Sequence, residues 1–135
     1  MKKKKKRTNP ILEARHDVEK AHIIIAQNSY YDEVWDVIEY QDGAKAAATH
    51  LWNAFETVLD AVLQLDFKTD GFDYYKCRDA LIKYNDRSLY YLFESGFSFL
   101  SVLASSEYLS SMTLKNSFDT VNKTIARCNA IINNR

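Results

Sequence analysis

The scarcity of helix-breaking residues is the feature that most constrains the fold of this chain. Its 135 residues include one proline, at position 10, and three glycines. Proline and glycine are the residues that most often interrupt a helix, so nearly every segment after Pro10 can be helical. Because 47% of the residues are hydrophobic, the chain also has enough apolar material for one continuous core. We therefore expect a single all-α domain over residues 10–135.

Apolar residues recur at spacings of three and four, the period of an amphipathic helix. Asn9, as an N-cap before Pro10, and the pair Asn85-Asp86, before Arg87, are predicted to begin helices. The pattern predicts helices over about residues 10–27, 41–65 and 72–84, a fourth helix that begins at Arg87, a break at Ser110-Ser111, and a last helix that includes Leu114 and Ile132. Residues 30–40 are ambiguous, either a connection or an early turn of the next helix. The expected architecture is an antiparallel up-and-down bundle of four to five helices, with a core that includes Phe55, Leu59, Leu100, Phe118 and Ile125.

Charge is distributed unevenly along the chain. The 18 basic and 18 acidic residues balance, yet Lys2–Lys6 and Arg7 place six positive charges before the first acidic residue. A block of like charge is typically solvated, so residues 1–9 are predicted to form a disordered basic tail. Contact of this tail with nucleic acid or an anionic membrane surface is the alternative.

Targeting signals and cysteine chemistry indicate an intracellular protein. The lysines precede no apolar signal-peptide core, no glycine follows Met1, and no uncharged stretch reaches the roughly 20 residues that span a membrane. We therefore expect a cytoplasmic protein without membrane contact. Cys77 and Cys128 stand among apolar neighbours without a CxxC pair, which predicts buried, reduced thiols.

Motifs for metal or cofactor chemistry are weak in this sequence. Glu13-x-x-His16 and Glu19-x-x-His22 match the Glu-x-x-His element of di-iron bundles, but such sites need two of these elements on different helices. Here both lie on one predicted helix, about 240° of rotation apart. His50 has no acidic residue three or four positions away, and the sequence has no Gly-rich phosphate loop and no GxSxG. We expect no metal ion and no cofactor.

Arg15 and His22 form the one pair that could support catalysis. Seven residues advance a helix by about 700°, so both side chains project from one face, roughly 10 Å apart along the axis. A cationic side chain and an imidazole on one face could bind a phosphate and transfer a proton. The structural interpretation is that both lie at the edge of the apolar stripe, with Arg15 extending to solvent or pairing with an acidic residue.

The chain resembles the HEPN-like helical bundles, and more closely a bacterial family of small uncharacterised proteins of that build. The resemblance lies in ARHDVEKAHIIIA, in AKAAATHLWNAFETVLDAVL and in residues 85–132, and it spans most of residues 10–133. For an active HEPN member, the resemblance implies an Arg-x4-6-His motif near the last core helix. Two copies of this motif meet across a dimer and cleave RNA without a metal ion. Here no histidine follows Arg127, and the matching spacing falls at Arg15 and His22. Because the motif is missing from the last helix, we expect a non-catalytic member of this class.

Function is therefore expected to depend on contact rather than chemistry. We expect a non-enzymatic helical bundle that acts through protein–protein contact as a homodimer. Because a bundle of this size cannot easily bury 18 aromatic residues, self-association is predicted through the aromatic-rich fourth helix or through residues 30–40. The alternative is a HEPN-like protein that binds RNA or cleaves it with Arg15 and His22.

Overall fold

The computed structural model describes residues 9–40, 43–106 and 108–135 and shows a helical bundle with a small β-sheet at one end. The helices are α1 (Pro10–Asn28), α2 (Ala44–Leu63), the short α3 (Phe67–Asp70), α4 (Tyr74–Tyr84), α5 (Arg87–Ser105) and α6 (Ser111–Asn133). The strands are β1 (Ser29–Asp32), β2 (Val37–Tyr40) and β3 (Tyr108–Ser110). The predicted helical-bundle class is confirmed. The predicted tail, residues 1–9, lies outside the described residues except for Asn9.

The four long helices alternate in direction relative to the sheet. α1 leads directly into β1, and β3 leads directly into α6, so the end of α1 and the start of α6 meet at the sheet. α2 follows β2, and α5 precedes β3. α1 and α5 therefore run toward the sheet while α2 and α6 run away from it, as predicted for an up-and-down bundle. α4 packs mainly against α5 and α2.

The core lies between these helices and contains all five side chains predicted for it. Phe55, Leu59, Leu100, Phe118 and Ile125 are each at most 6% exposed. Gly96 of α5 is also buried, because the Phe55 ring of α2 lies directly against it. A Cβ at Gly96 would lie 2.5 Å from Phe55 Cε1, so this helix crossing requires glycine.

Side chains that cap helices explain where several of them begin. The Asn9 side chain accepts a hydrogen bond from the Ile11 amide at 3.0 Å, and Pro10 follows as the first helical residue. Asp86 caps α5 by accepting from the Leu89 amide at 2.9 Å. The predicted Asn9 cap is confirmed, and of the predicted pair Asn85-Asp86 it is Asp86 that caps α5. The second predicted helix begins at Ala44, and its expected start at Gln41 lies outside the described residues.

The prediction for residues 30–40 was wrong, because this segment is neither a simple connection nor a helical turn. β1 and β2 form an antiparallel hairpin in which Tyr30 pairs with Glu39 and Tyr31 with Ile38. β3, from much later in the chain, pairs antiparallel with the other edge of β2. Strands of three or four residues are too short for an alternating pattern to stand out in the sequence.

Candidate interaction surface

The hairpin turn projects two large apolar side chains into solvent. The Asp32 carboxylate accepts hydrogen bonds from the Val34 and Trp35 amides at 2.9 and 3.3 Å, which fixes the first half of the turn. Val34 and Trp35 are 86% and 77% exposed. Aliphatic and indole groups this exposed gain apolar burial on binding a partner.

Asp36 fixes the second half of the turn and ties it to the bundle. The Tyr31 hydroxyl donates to Asp36 Oδ1 at 2.7 Å, and the Ser111 hydroxyl at the start of α6 donates to the same atom at 2.9 Å. These two hydrogen bonds hold the pKa of Asp36 below its usual range. The turn is therefore anchored to α6 rather than only to its own strands.

The sheet has one face toward the core and one toward solvent, because side chains alternate along a strand. Leu109 is buried, and Ile38, its partner on β2, packs against the core. The opposite face carries a cross-strand row of Tyr30, Glu39 and Tyr108. Tyr30 and Tyr108 are about 60% exposed. We call Tyr30, Val34, Trp35, Glu39 and Tyr108 the sheet surface.

The hairpin that carries the sheet surface is acidic throughout. Residues 29–40 include Asp32, Glu33, Asp36 and Glu39 and no lysine or arginine. Glu33 and Asp36 are exposed, whereas Asp32 and Glu39 are half-buried. The surface therefore combines exposed aromatic rings with a hairpin that has four carboxylates and no cationic residue of its own.

Arg15 and His22, the alternative catalytic pair, both lie on α1 and are exposed. The His22 imidazole stacks on Phe118 of α6, with the ring centroids 3.8 Å apart and the planes 19° from parallel. This partial burial lowers the pKa of His22 from its ordinary value of 6.5. One ring face of His22 is thus used in packing, which the sequence pattern did not indicate.

His50 has a carboxylate partner from another helix. Its Nδ1 lies 2.9 Å from Asp17 Oδ1 of α1. The sequence pattern did not indicate this pair, because the two residues are 33 positions apart and lie on different helices. The residues of the two Glu-x-x-His elements, Glu13, His16, Glu19 and His22, all lie on α1, and the described part of the chain contains no group of three or more His, Cys, Asp or Glu that could hold a metal ion.

An acidic cleft of about 250 Å³ lies between α1 and α2. Glu13 and Asp17 line it from α1, and Glu56 and Asp60 line it from α2. Burial raises the pKa of Glu56, and the neighbouring charge of Asp60 raises it further. These carboxylates give the cleft a negative charge, which opposes the binding of an RNA backbone there.

A second exposed apolar region lies on α4 and α5. Tyr75, Ile82 and Tyr91 are 65%, 59% and 62% exposed, and the Arg78 guanidinium lies 5.2 Å from the centre of the Tyr75 ring. This region includes the aromatic-rich helix that the sequence predicted for self-association. Among the residues that the structure describes, no helix has the length and apolar character needed to cross a membrane.

Comparison with known proteins gives no match: no family model, no curated protein and no solved structure is significantly similar to this chain. The sheet surface and the Arg15–His22 pair are therefore the features of the molecule that bear on its function.

Proposed function

We propose that this protein is a cytoplasmic, non-enzymatic helical bundle that acts through protein–protein contact and forms a homodimer. The observation that supports this proposal is the sheet surface, which exposes Tyr30 and Tyr108 in one cross-strand row and Trp35 in the adjoining hairpin turn. The turn is anchored to α6 by the hydrogen bond from Ser111 to Asp36. Tryptophan and tyrosine contribute most strongly to binding at protein interfaces. A rigid display of such side chains lowers the entropy that is lost on binding.

The test is the mass of the protein in solution as a function of concentration. We expect sedimentation to show a dimer that dissociates on dilution, and the variant Tyr30→Ser/Trp35→Ser/Tyr108→Ser to remain monomeric. All three side chains are exposed, so the variant should keep the helical circular dichroism of the wild type. A wild-type protein that is monomeric at every concentration would contradict the proposal.

The matched control removes the same number of apolar side chains from the second region. The variant Tyr75→Ser/Ile82→Ser/Tyr91→Ser changes three residues that are as exposed as those of the sheet surface. We expect it to dimerise as the wild type does. A monomeric control together with a dimeric sheet variant would instead place the interface on α4 and α5.

The second candidate function is RNA binding or metal-independent RNA cleavage, which the exposure of both Arg15 and His22 on α1 favours. The stacked His22 ring weighs against it, as does the acidic sequence around the pair, which includes Glu13, Asp17 and Glu19. The test is cleavage of a mixed-sequence RNA, with EDTA present, by the wild type and by His22→Ala. Cleavage that disappears in the folded variant would support this candidate, and we expect none from either protein.

A further inference from the structure

The two most highly charged segments of the chain have opposite signs. The basic segment, Lys2–Arg7, carries six positive charges, and residues 29–40 carry four negative charges. Opposite charges attract, and complementary charge guides the pairing of protein surfaces. A lysine-rich peptide is therefore the expected partner of the sheet surface, and this chain itself contains one in Lys2–Arg7.

These segments belong to opposite ends of the bundle. Asn9, next to the basic segment, caps the start of α1, whereas β1 follows the last residue of α1 directly. The sheet is held at that far end by the hydrogen bond from Ser111 to Asp36. α1 has 19 residues, which at about 1.5 Å each separates Asn9 from the sheet by about 28 Å.

The basic segment is too short to cover the sheet surface of its own chain. Lys4 is five positions before Asn9, a span of about 18 Å even when fully extended at about 3.5 Å per residue. Arg7 is only two residues from Asn9. Most of the basic segment therefore cannot reach the sheet of the same molecule, so a contact between them has to join two molecules.

Contact between two sheet surfaces is disfavoured by the same charges. Placing one hairpin on another would bring two acidic segments together, each with four carboxylates and no cation. Like charges placed opposite one another oppose association. Lysine and arginine side chains would instead neutralise Asp32, Glu33 and Glu39 and could lie over the exposed rings of Tyr30, Trp35 and Tyr108.

We propose that the basic segment of one copy binds the sheet surface of a second copy. This inference rests on the proposed homodimer and names the two surfaces that meet in it. Two copies that lie side by side in opposite directions place each basic segment beside the other copy's sheet. The contact is then made twice, which closes a symmetric dimer.

Exchange of charge between the two surfaces tests the proposal in the full-length protein. The tail variant is Lys3→Glu/Lys4→Glu/Lys5→Glu, and the sheet variant is Glu33→Lys/Glu39→Lys. Either set of changes brings the altered segment to a net charge of zero, so each variant homodimer loses the charge attraction at both contacts. A mixed dimer instead keeps one contact between a wild-type basic segment and a wild-type sheet surface, and at its other contact the exchanged charges again meet charges of opposite sign. We expect each variant alone to dimerise roughly tenfold or more weakly than the wild type, and an equimolar mixture to recover dimerisation to within about threefold.

The control for the sheet variant is Glu19→Lys/Asp70→Lys. It makes the same change in net charge as the sheet variant, at two exposed positions away from the sheet surface. It should dimerise as the wild type does, and circular dichroism should show that every variant keeps its helices. Dimers of wild-type strength in both variants, or weak dimers that the mixture does not restore, would overturn the inference while leaving the proposed homodimer in place. A monomeric wild type would overturn both.

The same variants show whether the basic segment binds a different partner. Phosphatidylserine vesicles that bind the wild type but not the tail variant, with dimerisation unchanged in both variants, would assign this segment to an anionic membrane and overturn the inference. Loss of binding to a short RNA in the same pattern would assign it to nucleic acid, with the same consequence.

Discussion

Gly96 shows how a single missing side chain determines where two helices can cross. The Phe55 ring occupies the position in which a Cβ of residue 96 would lie. Glycine inside a helix costs about 1 kcal/mol relative to alanine, so its presence within an apolar helix is itself a signal of a close helix crossing. The sequence could not identify Phe55 as the residue in contact with Gly96. The two residues lie on helices that are distant in the sequence, and a local pattern contains no information about which helices pack together.

We predict that Gly96→Ala destabilises the protein in spite of the higher helix propensity of alanine. The added methyl group forces the buried Phe55 ring to move, and overpacking of this kind costs about 1–3 kcal/mol. Urea denaturation followed by circular dichroism measures the change in the free energy of unfolding. Ser98→Ala, at an exposed position of the same helix, is the control and should change stability by less than about 0.5 kcal/mol. A more stable Gly96→Ala variant would show that the Phe55 ring can relocate freely.

His22 gives the stability of the protein a dependence on pH. Its pKa is lower in the folded chain than the ordinary value of 6.5, because partial burial against Phe118 disfavours the charged form. The unfolded chain therefore takes up the proton first as the pH falls below about 6.5, and stability falls with it. We expect the melting temperature of the wild type to drop more between pH 7.5 and pH 5.5 than that of His22→Gln, which cannot titrate. Equal drops in the two proteins would show that His22 is not the source.

At the scale of the helices, much of the structure could be predicted from the sequence. Asn9, Pro10 and Asp86 correctly marked the starts of α1 and α5, because a cap acts on its own helix through bonds to nearby amides. The β-hairpin was not predicted, although Tyr30, Tyr31, Val37 and Ile38 are residue types that favour strands. The third strand of the sheet, β3, comes from a distant part of the chain, and single-sequence patterns contain no information about such a partner.

Asp86 joins two helices in addition to beginning one. Its Oδ1 caps α5, and its Oδ2 accepts a hydrogen bond from Arg127 Nε of α6 at 3.1 Å. Arg127 holds the pKa of Asp86 below its usual range. The stability that this carboxylate provides is therefore complete above its unfolded pKa, about 3.8, and is lost as the pH falls through the lower folded value.

We predict that Asp86→Ala costs about 1–2 kcal/mol through loss of the cap. Asp86→Asn should cost less, because asparagine also caps helices but cannot form the ion pair. Arg127→Ala should cost only about 0.2–1 kcal/mol, since its side chain is 42% exposed. A double-mutant cycle with Asp86→Ala isolates the interaction between the two helices. Equal losses for Asp86→Ala and Asp86→Asn would mean that the ion pair, not the cap, dominates.

At the scale of the whole molecule, the core excludes solvent from both thiols. Cys77 of α4 and Cys128 of α6 are free and fully buried. Burial raises the pKa of each thiol to about 12, so almost none of either is the reactive thiolate at neutral pH. The sequence predicted buried, reduced thiols from the apolar neighbours of both cysteines, and their burial is confirmed.

We predict that a chromogenic disulfide reagent does not react with the native protein within minutes at pH 8 and reacts with two thiols per chain after unfolding in guanidinium chloride. Reaction of both thiols at one rate would report opening of the whole bundle. Fast reaction of Cys77 alone would contradict this expectation and show that α4 detaches while the other helices stay packed. The variant Cys77→Ala, which retains only Cys128, provides the reference rate for α6.

The pairing of β3 with β2 also sets an order for folding. β1 and β2 can form their hairpin from neighbouring residues, but Tyr108 reaches Glu39 only after α2, α4 and α5 have brought the chain back to the same end. Closure of so long a loop has an entropic cost that local contacts do not have, and it delays formation of the contact. During synthesis, where folding proceeds from the amino terminus, the hairpin emerges well before β3. The row of Tyr30, Glu39 and Tyr108 is therefore completed late, so a chain that has not finished folding does not present it.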